Sequence, residues 1–384
     1  MRNAQILLTA LVAISVPALA AKPTSISQLQ QTLAAAQAEH RTDDAVAKQL
    51  IDIKLTARLT GLPLQQLIAL SPGPTTTQAI QAVADASAFL DPPPTEILDK
   101  SAPSAAEQSA IFAQTLHYVV HVLPTLPNFL ATRVTGHYVD SLVGLNEESV
   151  QRGELYWIGT HRAPIAFRDG RETDDPALLA AAAASDKKDH SKGAKDTAAA
   201  DPVGGLSSWG ELGPILKVVL GDSIKGKLTW ARWEQEDSKP VAVFQFVVDR
   251  TISHYGVSYC CETTAEGSGA GLMQVKRPVT LRQVGYHGYL EVDPETGTIL
   301  RITIEADLQP GDMIQRASMM VEYGPVKIGD KDHICPTRSV SISIARAEVE
   351  SHGELHSTFR TLVNDVKFTE YHRFGSEATL IAHE

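Results

Sequence analysis

Apolar residues recur at steps of three and four along 26-ISQLQQTLAAAQAEHRTDDAVAKQLIDIKLTARL-59, where Val46, Leu50, Ile53 and Leu59 mark one stripe and Ala, Gln and Leu dominate. That spacing predicts helix. Gly61 with Pro63 is expected to end the stretch, and 71-SPGPTTT-77 makes a second break before a helix over 78–90. After an extended 91-DPPPTE-96, another amphipathic helix reads through 105–123. From Phe129 the period changes to two, with Thr, Val and Tyr enriched, as in strands. Two strands are expected about Pro164 within 154–172, a helix over 208–223, and then strands over 226–235, 240–249, 253–262, 279–293, 298–307, 315–328, 336–349 and 356–374. Turn signals follow too closely for intervening helices, so the sheet should be antiparallel with chain neighbours paired. The expected class is α+β: a helical N-terminal segment (21–123), then a large curved, half-barrel-like antiparallel β-sheet with one or two packed helices (124–384). Within the second part, the Ala-, Asp- and Lys-rich 174–205 has little with which to make a core and reads as a mobile loop.

The most regular unit is 285-GYHGYLEVDPETGTILRITIEAD-307. Leu290 and Val292 point one way and Tyr289 and Glu291 the other; Leu300, Ile302, Ile304 and Ala306 oppose Arg301, Thr303 and Glu305. One buried face and one wet face are expected. In the loop 293–297, Pro294 suits a type I turn and Gly297 the position of positive φ.

The chain start changes the compartment. Arg2, the apolar run Ile6 to Val16 and the small-x-small Ala18-Leu19-Ala20 predict a signal peptide over 1–20 and a secreted or periplasmic protein. The run is shorter than the roughly 20 residues of a bilayer span, and no later stretch is long enough, so no transmembrane span is expected in the mature chain. Losing Arg2 takes the net charge from −11 to −12. Such an acidic chain excludes nonspecific nucleic-acid binding, which needs clustered Lys and Arg. Of the three cysteines, one of Cys260 and Cys261 can bridge to Cys335 in an oxidising compartment; three reduced thiols are the equal alternative.

The hairpin, with 320-MVEYGPVKIGDKDHICPTRSVSIS-343 and 364-NDVKFTEYHRFGSEATL-380, resembles the sheet of periplasmic lipoprotein-carrier (LolA-like) proteins and the related stress-sensor and lipid-binding proteins. That resemblance implies a curved half-barrel closed by helices around an apolar cavity. The stretches 123–138 and 208–216 look like those of a group of secreted bacterial proteins of uncharacterised function, which implies a compartment and a fold but no catalytic residues.

Candidate chemistry is sparse. The turn 221-GDS-223 resembles the nucleophile block of Gly-Asp-Ser esterases, with Ser223 as nucleophile, His333 as base and Asp330 as its orienting partner; a helix end before a strand is the simpler reading. His117 and His121 are spaced for one helix face but lack the Glu of zinc proteases, while Gly353 breaks that argument for His352 and His356. The carboxylates of 147-EES and 234-EQED read as solvated surface. Trp230, Trp233, Phe244 and Phe246 lie on adjacent strands and are the candidate ligand-binding residues; Phe244 and Phe246 share a face, and Trp230 and Trp233 oppose each other unless a bulge intervenes. The expected function is noncatalytic binding in the cell envelope, with an acyl or lipoprotein ligand on the concave face and no cofactor or metal. The alternative is a scaffold or sensor that meets an envelope protein, and a hydrolase through Ser223 and His333 is third.

Overall fold

The computed structural model describes residues 23–143, 151–173, 205–206, 211–236, 238–266, 273–351 and 354–373. The expected signal peptide, nearly all of the expected loop at 174–205, the 147-EES carboxylates and His352 therefore lie outside the described residues, as do the side chains of Cys260, Cys261 and His356.

The helical segment contains α1 (Ile26–Ala38), α2 (Asp43–Leu50), α3 (Gly61–Ala69) and α4 (Pro74–Ala86), with β1 (Pro23–Thr24) paired in parallel to β2 (Lys54–Leu55). Ser25 and Gln28 form a capping box that starts α1. Leu29, Leu33, Val46, Leu50, Leu59, Leu67 and Ile80 close a core of their own. Gly61 and Pro63 do not end a helix, as expected; they open α3, because a proline in the first turn gives up only an N–H that would have no partner. Pro74 opens α4 in the same way, and the Asp43 carboxylate accepts from the backbone N–H of Thr75 (2.9 Å) and Thr76 (2.8 Å), stapling α4 to α2. Helix α5 (Ala105–His117), begun by the Ser104–Glu107 capping box, loosens into a π-helical turn over Tyr118–Val122.

The main sheet has ten antiparallel strands and is open. In chain order they are β3 (Phe129–Val143), β4 (Gln151–Arg168), β5 (Arg171–Thr173), β7 (Lys227–Glu236), β8 (Lys239–Val248), β11 (Gly285–Val292), β12 (Ile299–Asp307), β13 (Ile314–Ile328), β14 (Lys331–Ser351) and β15 (Glu354–Arg373). Their spatial order is β5-β4-β3-β15-β14-β13-β12-β11-β8-β7. A separate three-stranded sheet joins β6 (Gly205–Leu206), β9 (Val257–Glu266) and β10 (Met273–Leu281). The expected single strand over 279–293 is thus two, broken at Arg282–Val284, where the chain passes from the small sheet to the large one. Pro164 does not split 154–172 either; β4 runs through it with β3 on one side, and on the other side β5 pairs only Ala166–Arg168, so Pro164 lies on an edge strand beyond the reach of β5.

One face of the sheet presents Phe244, Phe246, Tyr286, Leu290, Ile302 and Ile304 to α5 and to α6 (Pro214–Lys225), whose Leu216, Val219 and Leu220 complete the largest core. Close approach here depends on Gly288: a Cβ at this position would fall 1.8 Å from the Thr303 carbonyl and 2.9 Å from the Phe246 ring. Gly297 takes φ +71°, as the turn requires, and seats the hairpin tip on the α5 backbone, since a Cβ would meet Gln114 at 2.5 Å. The opposite face is not wet. Glu291, Arg301 and Thr303 are buried there, because α4 and its flanking segments lie over that side and pack Ala82 and Ala88 against Tyr138, Met320, Ile342 and Val363.

Candidate functional site

The covered polar face of the sheet holds a continuous row of charges. Asp91 meets Arg232 (3.1 Å), Arg232 meets Glu234 (2.7 Å), and Arg58 bridges Glu234 and Glu291, the latter at 2.5 Å. Arg301 holds Glu291 at 2.8 Å and donates to the Ala88 carbonyl. Further along, Arg338 joins Asp85 and, at 2.9 Å, Asp365. Arg58, Asp85 and Asp91 come from the helical segment and the rest from the sheet, so these bonds set how the two parts dock. Burial acts to raise the Glu291 carboxyl, but Arg301 and Arg58 outweigh it and hold it below the usual range. Burial, then the nearby Glu291, raises Glu234. For Asp85, burial and then Asp365 push the carboxyl up to about 8 against the pull of Arg338, and its Oδ2 has no hydrogen-bond partner. Glu234 is 2 % exposed, so the reading of 234-EQED as solvated surface is corrected at this residue: the helical segment brings Arg58 onto it.

Beside this row, a cleft of about 290 Å³ opens between the helical segment and the sheet. Leu50, Ile51, Ile53 and Leu55 form one wall and Ala79, Ala82, Val83 and Ala86 of α4 another; Leu155, Ile342 and Val363 provide the sheet side. Its volume lies near the lower end of small-molecule sites, which are mostly apolar with a few placed polar groups. Two of the charged groups at its margin, Arg316 and Asp140, are already engaged, while Asp52 and Lys54 stand exposed at its rim. Arg316 reaches Ser318 (3.0 Å) and Glu305 (3.3 Å) and covers the Phe89 ring, while Asp140 accepts from Arg360 (3.0 Å) and from the Thr361 N–H (2.9 Å). Ser87 is engaged too, donating to the Ala84 carbonyl and accepting from the Leu59 N–H. The arrangement can enclose an apolar body, and it presents no activated nucleophile.

The four candidate aromatics are brought together, on the other face. A register shift between Trp230 and Arg232 is the bulge that puts Trp230 and Trp233 on one side, their rings 4.8 Å apart, with Trp230 edge-on to Phe244 at 5.5 Å. Phe112 of α5 lies 6.4 Å from Phe244, and Ile111, Tyr118 and Val119 pack over the same cluster. The rings are therefore core, filled by the chain's own side chains. Ser223 is 2 % exposed with an unpartnered Oγ, so no hydrogen bond links it to His333, which sits with Asp330 at the β13–β14 turn. The neighbouring Asp222 instead bonds His254. His117 and His121 are exposed with rings 4.8 Å apart, and among the described residues no group of three metal-ligating side chains forms. Cys335 is a free, buried thiol that burial raises to about 12. No helix among the described residues is long and apolar enough to cross a membrane.

Sequence reasoning missed the ion row and the cleft. One signal was available: Glu291, Arg301, Glu322, Arg338 and Asp365 all fall on the same side of consecutive strands once the strand order is known. Comparison with known protein families, curated proteins and solved structures finds no match.

Proposed function

We propose that the protein is a noncatalytic binding protein of the cell envelope that holds an apolar chain, an acyl group or a lipoprotein tail, in the cleft between its helical segment and the sheet. The apolar lining of that cleft, with Arg316 and Asp140 at its margin already paired, carries the reading. A ligand there needs no charge of its own, and each buried methylene is worth about 0.8 kcal/mol. The secretory pattern at residues 1–20 and the resemblance to lipoprotein carriers support the compartment and the ligand class. The test is native mass spectrometry with lipid extraction on protein purified from a bacterial periplasm, alongside Ala86→Phe, which fills the cleft from an exposed position on α4. An acyl lipid that co-purifies with the wild type and is lost in the variant is the expected result. Protein that arrives clean, and that also fails to bind a fluorescent fatty acid, overturns it.

A second reading, a scaffold or sensor that meets a protein partner, draws on β4. Tyr156, Trp157 and Ile158 are each more than 40 % exposed there, and β5 covers only Ala166–Arg168 of its edge. Such a row on a long edge suits strand addition. Trp157→Lys would abolish that association and leave lipid retention intact.

A further inference from the structure

On the face opposite the cleft lies a second cavity, of about 260 Å³, between α6, the β9 end of the small sheet and the main sheet. Its body is apolar, with Ile215, Val218, Val257 and Met319 among the lining residues, and His254 and Ser341 bring polar groups to it. Room exists here because β14 presents only serines, Ser339, Ser341 and Ser343, where a sheet face usually carries large side chains. Ser339 and Ser343 are buried, and their Oγ atoms have no hydrogen-bond partner.

His254 is held in a defined way. Its Nδ1 lies 2.5 Å from Oδ1 of the buried Asp222, whose other oxygen accepts from the His254 backbone N–H (2.8 Å) and from the Tyr286 hydroxyl (3.0 Å). A carboxylate oxygen accepts, so Nδ1 is the donor of this pair, and an imidazole in its neutral form then has its lone pair on Nε2. The imidazole is 66 % exposed, so Nε2 is the nitrogen left for an incoming group.

We infer that this cavity binds a small amphipathic alcohol, its hydroxyl donating to His254 Nε2 and its apolar body lying among Ile215 and Val218 of α6, Val257 and Met319. This site is independent of the acyl-chain cleft: it sits on the other face of the sheet and shares no lining residue with it. A carboxylate is disfavoured, because it would meet a lone pair rather than a proton.

The test uses the full chain at a pH of about 8, where imidazoles are generally neutral. Hexanol, its methyl ether and hexanoate are titrated by calorimetry while the ¹⁵N shift of His254 Nε2 is followed. Hexanol should bind, move the Nε2 signal, and outcompete the ether and hexanoate. His254→Phe should weaken hexanol about fivefold, the scale of one net hydrogen bond, and Val218→Trp, which fills the cavity from a half-buried position on α6, should abolish binding. Equal binding of alcohol and ether with a silent Nε2, tighter binding of hexanoate, or no hexanol binding overturns the inference. If Val218→Trp does not fold, the Nε2 shift and His254→Phe still decide it.

Discussion

On the α6 side of the sheet, Phe246, Tyr286 and Ile302 meet Leu216 and Val219, and the contact is mainly apolar, with the hydrogen bond from the Tyr286 hydroxyl to Asp222 at its end. On the other side, Arg58, Glu234, Glu291 and Arg301 meet across the same thickness of strand, and the apolar contact is confined to Ala82, Ala88 and a few partners. Burial of hydrocarbon is favourable wherever it occurs and tolerates small displacements. A buried ion pair is favourable only with every partner in place, since its desolvation cost is comparable to its Coulombic gain. The first face therefore supplies stability, and the second specifies one docking of the helical segment. That segment keeps its own core around Leu33, Leu50 and Ile80, so it can remain helical if the docking is lost.

This contrast can be broken from either side. Phe246→Ala should cost about 3–5 kcal/mol of global stability, read from urea denaturation, because it opens a cavity in the larger core. Arg58→Met should cost a similar or smaller amount, up to about 3–5 kcal/mol, because Glu234 and Glu291 lose the cation they share and keep only Arg232 and Arg301. Its signature differs: hydrogen exchange should rise where the helical segment meets the sheet before α1–α4 lose protection. Replacing Arg58, Glu234 and Glu291 together by apolar residues of similar volume should restore most of the loss, and if it does not, the ions contribute more than docking specificity. Gly288→Ala comes next, at about 1–3 kcal/mol, because the added methyl collides with the Thr303 carbonyl and the Phe246 ring.

The smallest effect at neutral pH, and the most diagnostic, concerns Asp85. Its carboxyl rises from an ordinary 3.8 to about 8 in the folded chain, so the folded state binds the proton more tightly between those values. The contribution is complete below the lower value and is lost as pH rises through the higher one. Urea midpoints should fall between pH about 4 and about 8, and Asp85→Asn should flatten that slope while costing little near neutrality. An unchanged slope in the variant would show that Asp85 stays ionised beside Arg338. Glu234, also raised, contributes a residual slope of the same sign, whereas Glu291, lowered, loses stability only in acid.

Much of the fold was legible because local periodicity decides it. The two-residue alternation of 285–307 names Leu290, Val292, Ile302 and Ile304, which enter the large core, though a register shift at Val292 brings in Ile299 in place of the expected Leu300, and Gly297 marks the turn that carries positive φ. The candidate site was far less so. The alternation that placed Leu290 and Ile302 inside also placed Glu291 and Arg301 outside, and nothing nearby signals that Arg58 will arrive to bury them. Trp230 and Trp233 show the same limit at shorter range, since one bulge residue reverses which face a side chain occupies. Asp222 drew notice as part of Gly-Asp-Ser, yet its partner is His254, which lies on a later turn and not at the β13–β14 tip.

The sequence by itself determined most of the elements, the antiparallel order over β11–β15, and the apolar face of the sheet, because these follow from spacing and turn chemistry within a few residues. Only the tertiary structure decided what covers the other face, which charges lose their water, and where the chain leaves the two cavities open. Those outcomes depend on groups far apart in sequence meeting at a fixed distance, and the free energy of a buried charge or an unfilled space is set by all of its neighbours at once.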